Sequence, residues 1–240
     1  KLGWFIMELA SPVTFLYSFL TPSPFDDNDE SLIPSYTTTQ KILASLYLIH
    51  YFNRTLIYTY RAPNVASIHL TTILSAVIFN VINGYSNGRW ISVFGNYTEE
   101  RCQEPLFILG VLIFFIGMWI NIEHDNILFN LRKENTSKIS SNEKSVIDSK
   151  LVDDFENNRK KTYFIPNEGL FNYVCCPNYL GEIIEWIGFA IACWYSLPAL
   201  LFAIMTPANL FPRARKTFKW YNESFKEYPK NRKVIIPFVW

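Results

Sequence analysis

The sequence has few of the residues that build metal centres. It contains four cysteines and three histidines in 240 residues. Cys175 and Cys176 are adjacent, whereas Cys102 and Cys193 are isolated, and neither arrangement matches the ligand spacing of protein zinc sites. The three histidines are also scattered along the chain. We therefore expect no metal site.

Two further absences restrict the kinds of cofactor site and partner that the protein can have. None of the nine glycines forms a Gly-x-Gly-x-x-Gly motif, so a nucleotide cofactor would not bind through the usual βαβ unit. The net charge is only +1, which argues against a nucleic-acid partner. The chain starts at Lys1 without a signal-peptide pattern, and an apolar block follows at once. We interpret this start as the loss of the natural N-terminus together with one further helix.

Long apolar blocks are what the sequence does contain. Half of the residues are hydrophobic, and a helix that crosses a bilayer needs about 20 residues. The segment 179–211 is too long for one crossing, and Ser196-Leu197-Pro198 predicts a break within it. The sequence therefore predicts one all-α domain, a polytopic transmembrane helical bundle with six spans. The apolar blocks are 4–20, 42–60, 65–82, 105–128 and 179–211.

The basic residues predict the orientation of the bundle in the membrane. Segments 132–162 and 213–233 each contain eight Lys and Arg residues, whereas 21–40 contains none. The positive-inside rule places the loop 132–162 and the C-terminus in the cytosol. Residues 134–161 are rich in Ser, Asn, Lys and Asp without an apolar period, which predicts a flexible cytosolic insertion within the membrane domain.

Polar side chains lie at helical spacing inside four of the predicted spans. A charge near the centre of a bilayer costs about 2.5–3.5 kcal/mol on insertion scales, and such residues are functional by default. Four polar helices together predict a shared cavity that opens toward the cytosolic basic loop. An anionic cofactor can bind there, with Arg132, Arg213 and Lys216 as candidate phosphate partners. The polar stripes are Glu8; Tyr51, Arg54 and Tyr58; Asn121, Asp125 and Arg132; and Asn178, Glu182 and Glu185.

These polar stripes lie within motifs that resemble the steroid 5α-reductase family. The motifs occur in the family's order along essentially the whole chain, interrupted only by 134–161. They are WFIMEL at 4–9, HYFNRT at 50–55, GMWINIEHD at 117–125 with LRK at 131–133, IPNEGLF at 165–171, NYLGEIIEW at 178–186, and YPKNRK with IIPF at 228–238.

The resemblance implies a seven-helix enzyme of the endoplasmic reticulum membrane that reduces the C4–C5 double bond of 3-oxo-4-ene steroids with NADPH. It implies that Glu8 and Tyr51 hold the steroid 3-oxo group, where a donor stabilises the enolate that forms. It also implies that Trp4, Arg54 and Tyr58 line the substrate side of the cavity. The cofactor-binding positions that it implies are Asn121, Asp125, Arg132, Tyr163, Asn178, Glu182 and Tyr221.

Two alternatives stay open from the sequence. One is a related membrane reductase that acts on an enoyl-CoA or a polyprenol, although the Glu-Leu motif at Glu8 and the His-Tyr motif at Tyr51 favour a steroid. The other is a non-catalytic membrane protein that binds or transports a sterol. NADPH binding that depends on Asn121 and Arg132 would argue against that second class. The natural steroid, the source of the C4 proton and the oligomeric state are not predicted.

Overall fold

The chain folds into α-helices. The computed structural model describes residues 1–21, 35–63, 68–144 and 163–240. Within these ranges no β-sheet forms, and a single isolated parallel bridge pairs Val174 with Lys233. The all-α prediction is therefore confirmed for the described residues. The α-helices are α1 (Leu2–Leu20), α2 (Thr38–Phe52), α3 (Tyr58–Arg61), α4 (Leu70–Arg89), α5 (Pro105–Lys144), α6 (Pro177–Ala192) and α7 (Leu197–Ser224).

Among the described residues, two helices have the length and apolar composition needed to cross a membrane, α1 over Leu2–Leu20 and α5 over Pro105–Lys133. On α5, the side chains of Leu112, Ile116 and Trp119 are more than half exposed, whereas Asn121 and Asp125 are buried. A helix with apolar residues outside and polar residues inside suits a lipid surrounding better than water. These helices are consistent with a membrane protein.

Helices α1 and α4 approach each other through two small residues of α4. Gly84 and Gly88 are four residues apart, and a Cβ atom on either would collide with the α1 backbone, at Ser11 and Phe15 respectively. Small residues at this spacing let two helix backbones come into contact. The packing brings Glu8 on α1 close to the polar side of α4.

The predicted bounds of the third span were wrong. The sequence predicts a span over 65–82, whereas α4 runs from Leu70 to Arg89, and residues 64–67 lie outside the described residues. The polar residues Asn83 and Asn87 follow the apolar block in the sequence. In the structure both side chains are buried against other helices, so their polarity does not end the helix.

Helices α5 and α6 form the tightest helix pair. Gly110 and Gly117 on α5 face Gly188 and Gly181 on α6, and a Cβ atom on any of the four would meet the backbone of the opposite helix. Each pair of glycines is separated by seven residues, so two contacts recur along one face. This close packing brings the polar stripe of α5 against that of α6.

Helix α2 continues into a π-helical turn, Asn53–Ile57, before α3 begins at Tyr58. The start of α2 is fixed by a capping box, in which Thr37 and Gln40 exchange side-chain to backbone hydrogen bonds. A π-helical turn rotates the side chains that follow it relative to a regular helix, and such turns are frequent at functional sites. Arg54 lies within this turn.

The predicted break within 179–211 is confirmed. Helix α6 ends at Ala192 and α7 begins at Leu197. Between them Tyr195 has a φ of 67°, and Ser196 caps α7 by accepting a hydrogen bond from the Ala199 N–H at 3.3 Å. Pro198 lies in the first turn of α7, where a backbone N–H has no intrahelical acceptor. The missing N–H of proline is therefore tolerated there, which favours a helix start at this position.

The segment after the predicted insertion packs back onto α5. The predicted flexible insertion spans 134–161; α5 continues to Lys144, and residues 145–162 lie outside the described residues. His124 then joins α5 to the 3-10 turn Gly169–Asn172, because its Nε2 accepts from the Leu170 N–H at 3.0 Å and its Nδ1 lies 2.7 Å from the Ile120 carbonyl. These two bonds require the neutral ring with a proton on Nδ1. His124 is therefore a structural histidine.

Candidate active site

One large cavity, of about 430 Å³, lies among α1, α2, α4, α6 and α7. Its size falls within the range of about 300–1,000 Å³ that small-molecule sites occupy. Five of the site residues that the family resemblance implies line it, namely Trp4, Glu8, Tyr51, Arg54 and Glu182. The other lining residues are Met7, His50, Thr72, Ser75, Ala76, Phe79, Asn80, Phe202, Met205, Thr206, Ala208, Asn209, Leu210 and Arg213.

Tyr51 is held by an amide on α4. Asn83 Nδ2 donates to the Tyr51 hydroxyl oxygen at 3.2 Å and to the Tyr47 hydroxyl oxygen at 2.9 Å. Asn87 Nδ2 donates to Asn83 Oδ1 at 3.0 Å, which fixes the amide orientation of Asn83. The Tyr47 hydroxyl also bonds Ser11 on α1 at 2.6 Å. Tyr51 is thereby fixed with its hydroxyl oxygen accepting a hydrogen bond from Asn83.

Glu8 reaches the same cavity from α1. Its carboxylate is partly buried and interacts electrostatically with Arg54, Glu182, His50 and Arg213. Three of these groups, Arg54, His50 and Arg213, are basic residues that line the cavity, so the cavity has both acidic and basic groups at its polar side. The structure brings Glu8 and Tyr51 to one cavity, as the sequence predicted; their roles stay a prediction.

Arg54 is the central cation of the site. Its guanidinium nitrogens lie 3.6 Å from Asp125 Oδ2 and 3.6 Å from Glu182 Oε2. Its Cζ atom is 5.0 Å from the centre of the Trp4 ring and 4.7 Å from that of Tyr58. Arg54 therefore joins acidic groups of α5 and α6 to aromatic rings of α1 and α3, by ion pairing and by cation–π contact.

The predicted amide and acid residues of α5 and α6 form one hydrogen-bonded group. Asn178 Nδ2 donates to Asp125 Oδ1 at 2.9 Å, and Asn121 Nδ2 donates to the Asn178 carbonyl at 2.9 Å. Asn121 and Asp125 are buried, and Asp125 is in turn paired with Arg54. The group is thus continuous with the large cavity through Arg54.

The remaining predicted cofactor residues lie outside the lining of the large cavity. Tyr163 packs edge-on against Trp220, with ring centres 4.8 Å apart. The Tyr221 hydroxyl donates to the Phe164 carbonyl at 3.5 Å. Arg132 interacts electrostatically with both Tyr58 and Tyr221. Arg132 therefore interacts with Tyr221 of this second group and with Tyr58, whose ring contacts Arg54.

Sequence reasoning missed the asparagines of α4. Asn80 lines the cavity and donates to the Met7 carbonyl at 2.6 Å, and Asn83 holds Tyr51. The available signal was their spacing, because Asn80, Asn83 and Asn87 follow i, i+3, i+7 and so share one helix face. His50 lines the cavity as well, although the sequence gave it no role.

The chain matches known proteins along nearly its full length. The family model described as 3-oxo-5-alpha-steroid 4-dehydrogenase matches residues 66–145 and 141–240. The 3-oxo-5-alpha-steroid 4-dehydrogenase 1 of Rattus norvegicus is 36% identical over 237 residues, which cover 99% of this chain and 79% of the rat protein. A steroid 5-alpha-reductase of Gossypium hirsutum is 38% identical over 245 residues, covering 100% of this chain and 81% of the plant protein.

The matches extend beyond any single motif or helix, and both relatives exceed 30% identity over alignments that cover at least 99% of this chain. A resemblance of that extent includes α1 and α2, which carry Glu8 and Tyr51, as well as α5 to α7. The chain therefore belongs to the 3-oxo-5-alpha-steroid 4-dehydrogenase family, a family of oxidoreductases.

Proposed function

We propose that this protein reduces the C4–C5 double bond of a 3-oxo-4-ene steroid to the 5α-3-oxosteroid, with NADPH as the reductant. The observation that carries the proposal is the meeting of Glu8 and Tyr51 in one cavity, with the Tyr51 hydroxyl oriented by Asn83. The names of the rat and cotton relatives supply the substrate class and the reaction.

Tyr51 has the geometry of a donor to the substrate carbonyl. Because Asn83 Nδ2 donates to the Tyr51 oxygen, the phenolic proton is directed elsewhere, and the cavity is what Tyr51 faces. When hydride adds at C5, negative charge develops on the 3-oxo oxygen as an enolate. A fixed donor aimed at that oxygen lowers the barrier, in the same way as an oxyanion hole. Asn83 also stabilises the partial charge that appears on the phenol oxygen.

Glu8 acts on the same oxygen from the opposite helix. As a carboxylic acid it donates a second hydrogen bond to the 3-oxo group; as a carboxylate it can only accept, and then orients Tyr51. Glu182 and Arg54 both interact with it electrostatically, so its protonation depends on what occupies the polar side of the cavity. Two donors on the carbonyl fix the steroid A-ring relative to C5.

The polar group next to the cavity suits a nicotinamide dinucleotide. Glu182 Oε2 is buried without a hydrogen-bond donor among the described residues, while Arg54, Arg213 and Asn178 offer cationic and amide groups. Such a mixture matches the phosphates, ribose hydroxyls and carboxamide of NADPH, whose role is to supply the hydride. The residues proposed to hold it are Asn121, Asp125, Arg132, Tyr163, Asn178, Glu182 and Tyr221.

The substrate side of the cavity is largely apolar. Phe79, Phe202 and Met205 line it together with Trp4, which suits a rigid hydrocarbon ring system. Arg54 contacts the faces of Trp4 and Tyr58 and so keeps both rings in place. Trp4, Arg54 and Tyr58 are therefore proposed to shape the steroid site.

The proposed setting is the endoplasmic reticulum membrane. We propose six spans for this chain, with the loop 132–162 and the C-terminus in the cytosol, where NADPH is available. The distribution of Lys and Arg supports this orientation, since each segment contains eight of these residues and 21–40 contains none. A lipid surrounding also supplies the apolar substrate.

The test is a turnover assay on purified protein in lipid nanodiscs with NADPH and a panel of substrates. We expect 5α-products from one or more 3-oxo-4-ene steroids, and a loss of turnover of about 100-fold in Glu8→Leu, since Leu removes one oriented donor. Glu227→Leu, at an exposed acid outside the cavity, serves as the matched control. Turnover of an enoyl-CoA or a polyprenol instead, or binding of sterols without turnover, would refute the proposal.

A further inference from the structure

A buried acid–base pair adjoins the cavity and has no part in the proposed function as described above. His50 on α2 and Glu185 on α6 lie 135 positions apart in the sequence, and His50 Nδ1 is 2.8 Å from Glu185 Oε1. Glu185 is fully buried and His50 is 5% exposed. His50 nevertheless lines the cavity beside Tyr51 and Glu8.

The geometry leaves one ring nitrogen of His50 for the cavity. Nδ1 is engaged by Glu185, and no described residue hydrogen-bonds Nε2. The ring is held edge-on by Tyr51 at 5.1 Å and by Trp186 at 4.5 Å, so it cannot rotate freely. The charged groups that act on it are Glu185 and Glu182 of α6, Arg54 of the π-helical turn, and Glu8 of α1.

A purely structural role explains this pair poorly. Burying two ionisable groups has a desolvation cost that an ion pair often fails to recover. Glu185 Oε2 has no hydrogen-bond partner among the described residues, and a buried unsatisfied acceptor is destabilising. An arrangement selected only to join α2 to α6 would satisfy both carboxylate oxygens or use apolar side chains.

We propose that His50 is the general acid that protonates C4 of the steroid, with Glu185 as its positioning residue. This inference rests on the proposed reductase function. After hydride has added at C5, the enolate C3=C4 electron pair forms a new C4–H bond, the His50 Nε2–H bond breaks, and the 3-oxo carbonyl re-forms. Imidazolium becomes neutral imidazole, still bonded to Glu185 through Nδ1. Solvent restores the proton between turnovers, which accounts for the one proton consumed with each NADPH.

The position of the pair supports this step. C4 is bonded to C3, whose oxygen is the atom proposed to be held by Glu8 and Tyr51. His50 precedes Tyr51 directly in the chain and contacts its ring, so an acid at His50 lies beside the carbonyl site. The carboxylate of Glu185 stabilises the imidazolium and fixes which ring nitrogen faces the cavity.

The experiment compares wild type, His50→Gln, Glu185→Gln and the double variant in the NADPH and steroid assay. We expect His50→Gln to lower kcat about 100-fold, with KM for the steroid changed by less than about twofold because carbonyl binding is intact. The isotope effect from deuterated NADPH should fall toward unity while the solvent isotope effect rises, since proton transfer becomes the slow step. Glu185→Gln should show the same shift with a fall of about tenfold, and the double variant should be no worse than His50→Gln because the pair acts as a unit.

Two controls separate this chemistry from damage to the fold. His69→Gln alters an exposed histidine outside the cavity and should leave kcat unchanged. In His50→Ala, added imidazole should restore turnover about tenfold by general acid catalysis; a structural pair would not respond. If a variant loses NADPH binding and its melting transition, the test becomes the chemical modification of wild type with diethyl pyrocarbonate. We expect the reagent to modify His50 with loss of turnover, and we expect bound steroid to protect His50 from the reagent.

Retention of kcat within about threefold in His50→Gln, corresponding to about 0.7 kcal/mol, would overturn the inference. A fall in kcat with unchanged isotope effects and no rescue by imidazole would also overturn the inference. Full turnover after modification of His50 would overturn it, and so would a failure of diethyl pyrocarbonate to reach His50. Absence of turnover in wild type across the steroid panel would instead refute the proposed function.

Discussion

Tyr47 and Tyr51 form a matched pair that separates catalysis from stability. They lie one turn apart on α2 with ring centres 4.9 Å apart, and both accept a hydrogen bond from Asn83 Nδ2. Both are at most 2% exposed. They differ in one respect that matters for the reaction, because Tyr51 lines the cavity and Tyr47 does not. Removal of each hydroxyl should therefore have opposite consequences.

In Tyr51→Phe, the donor to the 3-oxo oxygen is lost. Removal of one oxyanion donor costs about 2.7–4 kcal/mol of transition-state stabilisation, or about 10²–10³ in kcat. Asn83 loses its 3.2 Å bond to Tyr51 but keeps the Tyr47 hydroxyl as an acceptor, so the free energy of unfolding should fall by only about 1 kcal/mol.

In Tyr47→Phe, both Ser11 and Asn83 lose a buried partner. The free energy of unfolding should then fall by about 1–3 kcal/mol, while kcat stays within about threefold of wild type, or about 0.7 kcal/mol. The measurements are steady-state NADPH oxidation with a 3-oxo-4-ene steroid and thermal unfolding of the same preparations. Equal loss of kcat in both variants, or full kcat in Tyr51→Phe, would refute the assignment of Tyr51 as the donor.

Three further variants test other parts of the site and fold. Asn83→Leu has a similar volume but removes the donor to Tyr51. We expect kcat to fall by up to about tenfold, because an ordinary hydrogen bond is worth about 0.5–1.5 kcal/mol. An unchanged kcat would contradict the orienting role. Asp125→Asn removes the charge paired with Arg54 and should raise the NADPH dissociation constant about tenfold. The dissociation constant is measured by fluorescence titration, and unaltered binding would place the cofactor elsewhere. Gly117→Ala puts a Cβ atom against the α6 backbone and should lower the free energy of unfolding by about 1–3 kcal/mol. In the control variant Gly3→Ala, the new Cβ atom meets only the flexible side chain of Ile73, so the melting temperature should change little. Equal melting temperatures of the two variants would argue against the close α5–α6 contact.

Much of the fold was predictable because the relevant signals are local. Apolar blocks located the helices, and Pro198 beside Ser196 located the break between α6 and α7. The end of α4 was missed because hydropathy scores each residue by its type and ignores the side chains that it contacts in the folded protein. Asn83 and Asn87 are polar in sequence, yet their side chains bond other helices and each other instead of lipid, so the helix continues to Arg89.

For the site, the sequence alone determined which residue types are available and, through the family motifs, which of them to expect around a steroid and a cofactor. Tertiary structure alone decided how they meet. The bonds between Asn83 and Tyr51, and between His50 and Glu185, join residues 32 and 135 positions apart. Those contacts join α2 to α4 and to α6, and each of these two helices packs through glycines against a further helix. Which polar atoms meet, and which nitrogen of His50 is left for the cavity, depends on the packing of helices that are distant in the sequence, so the order of residues does not predict it.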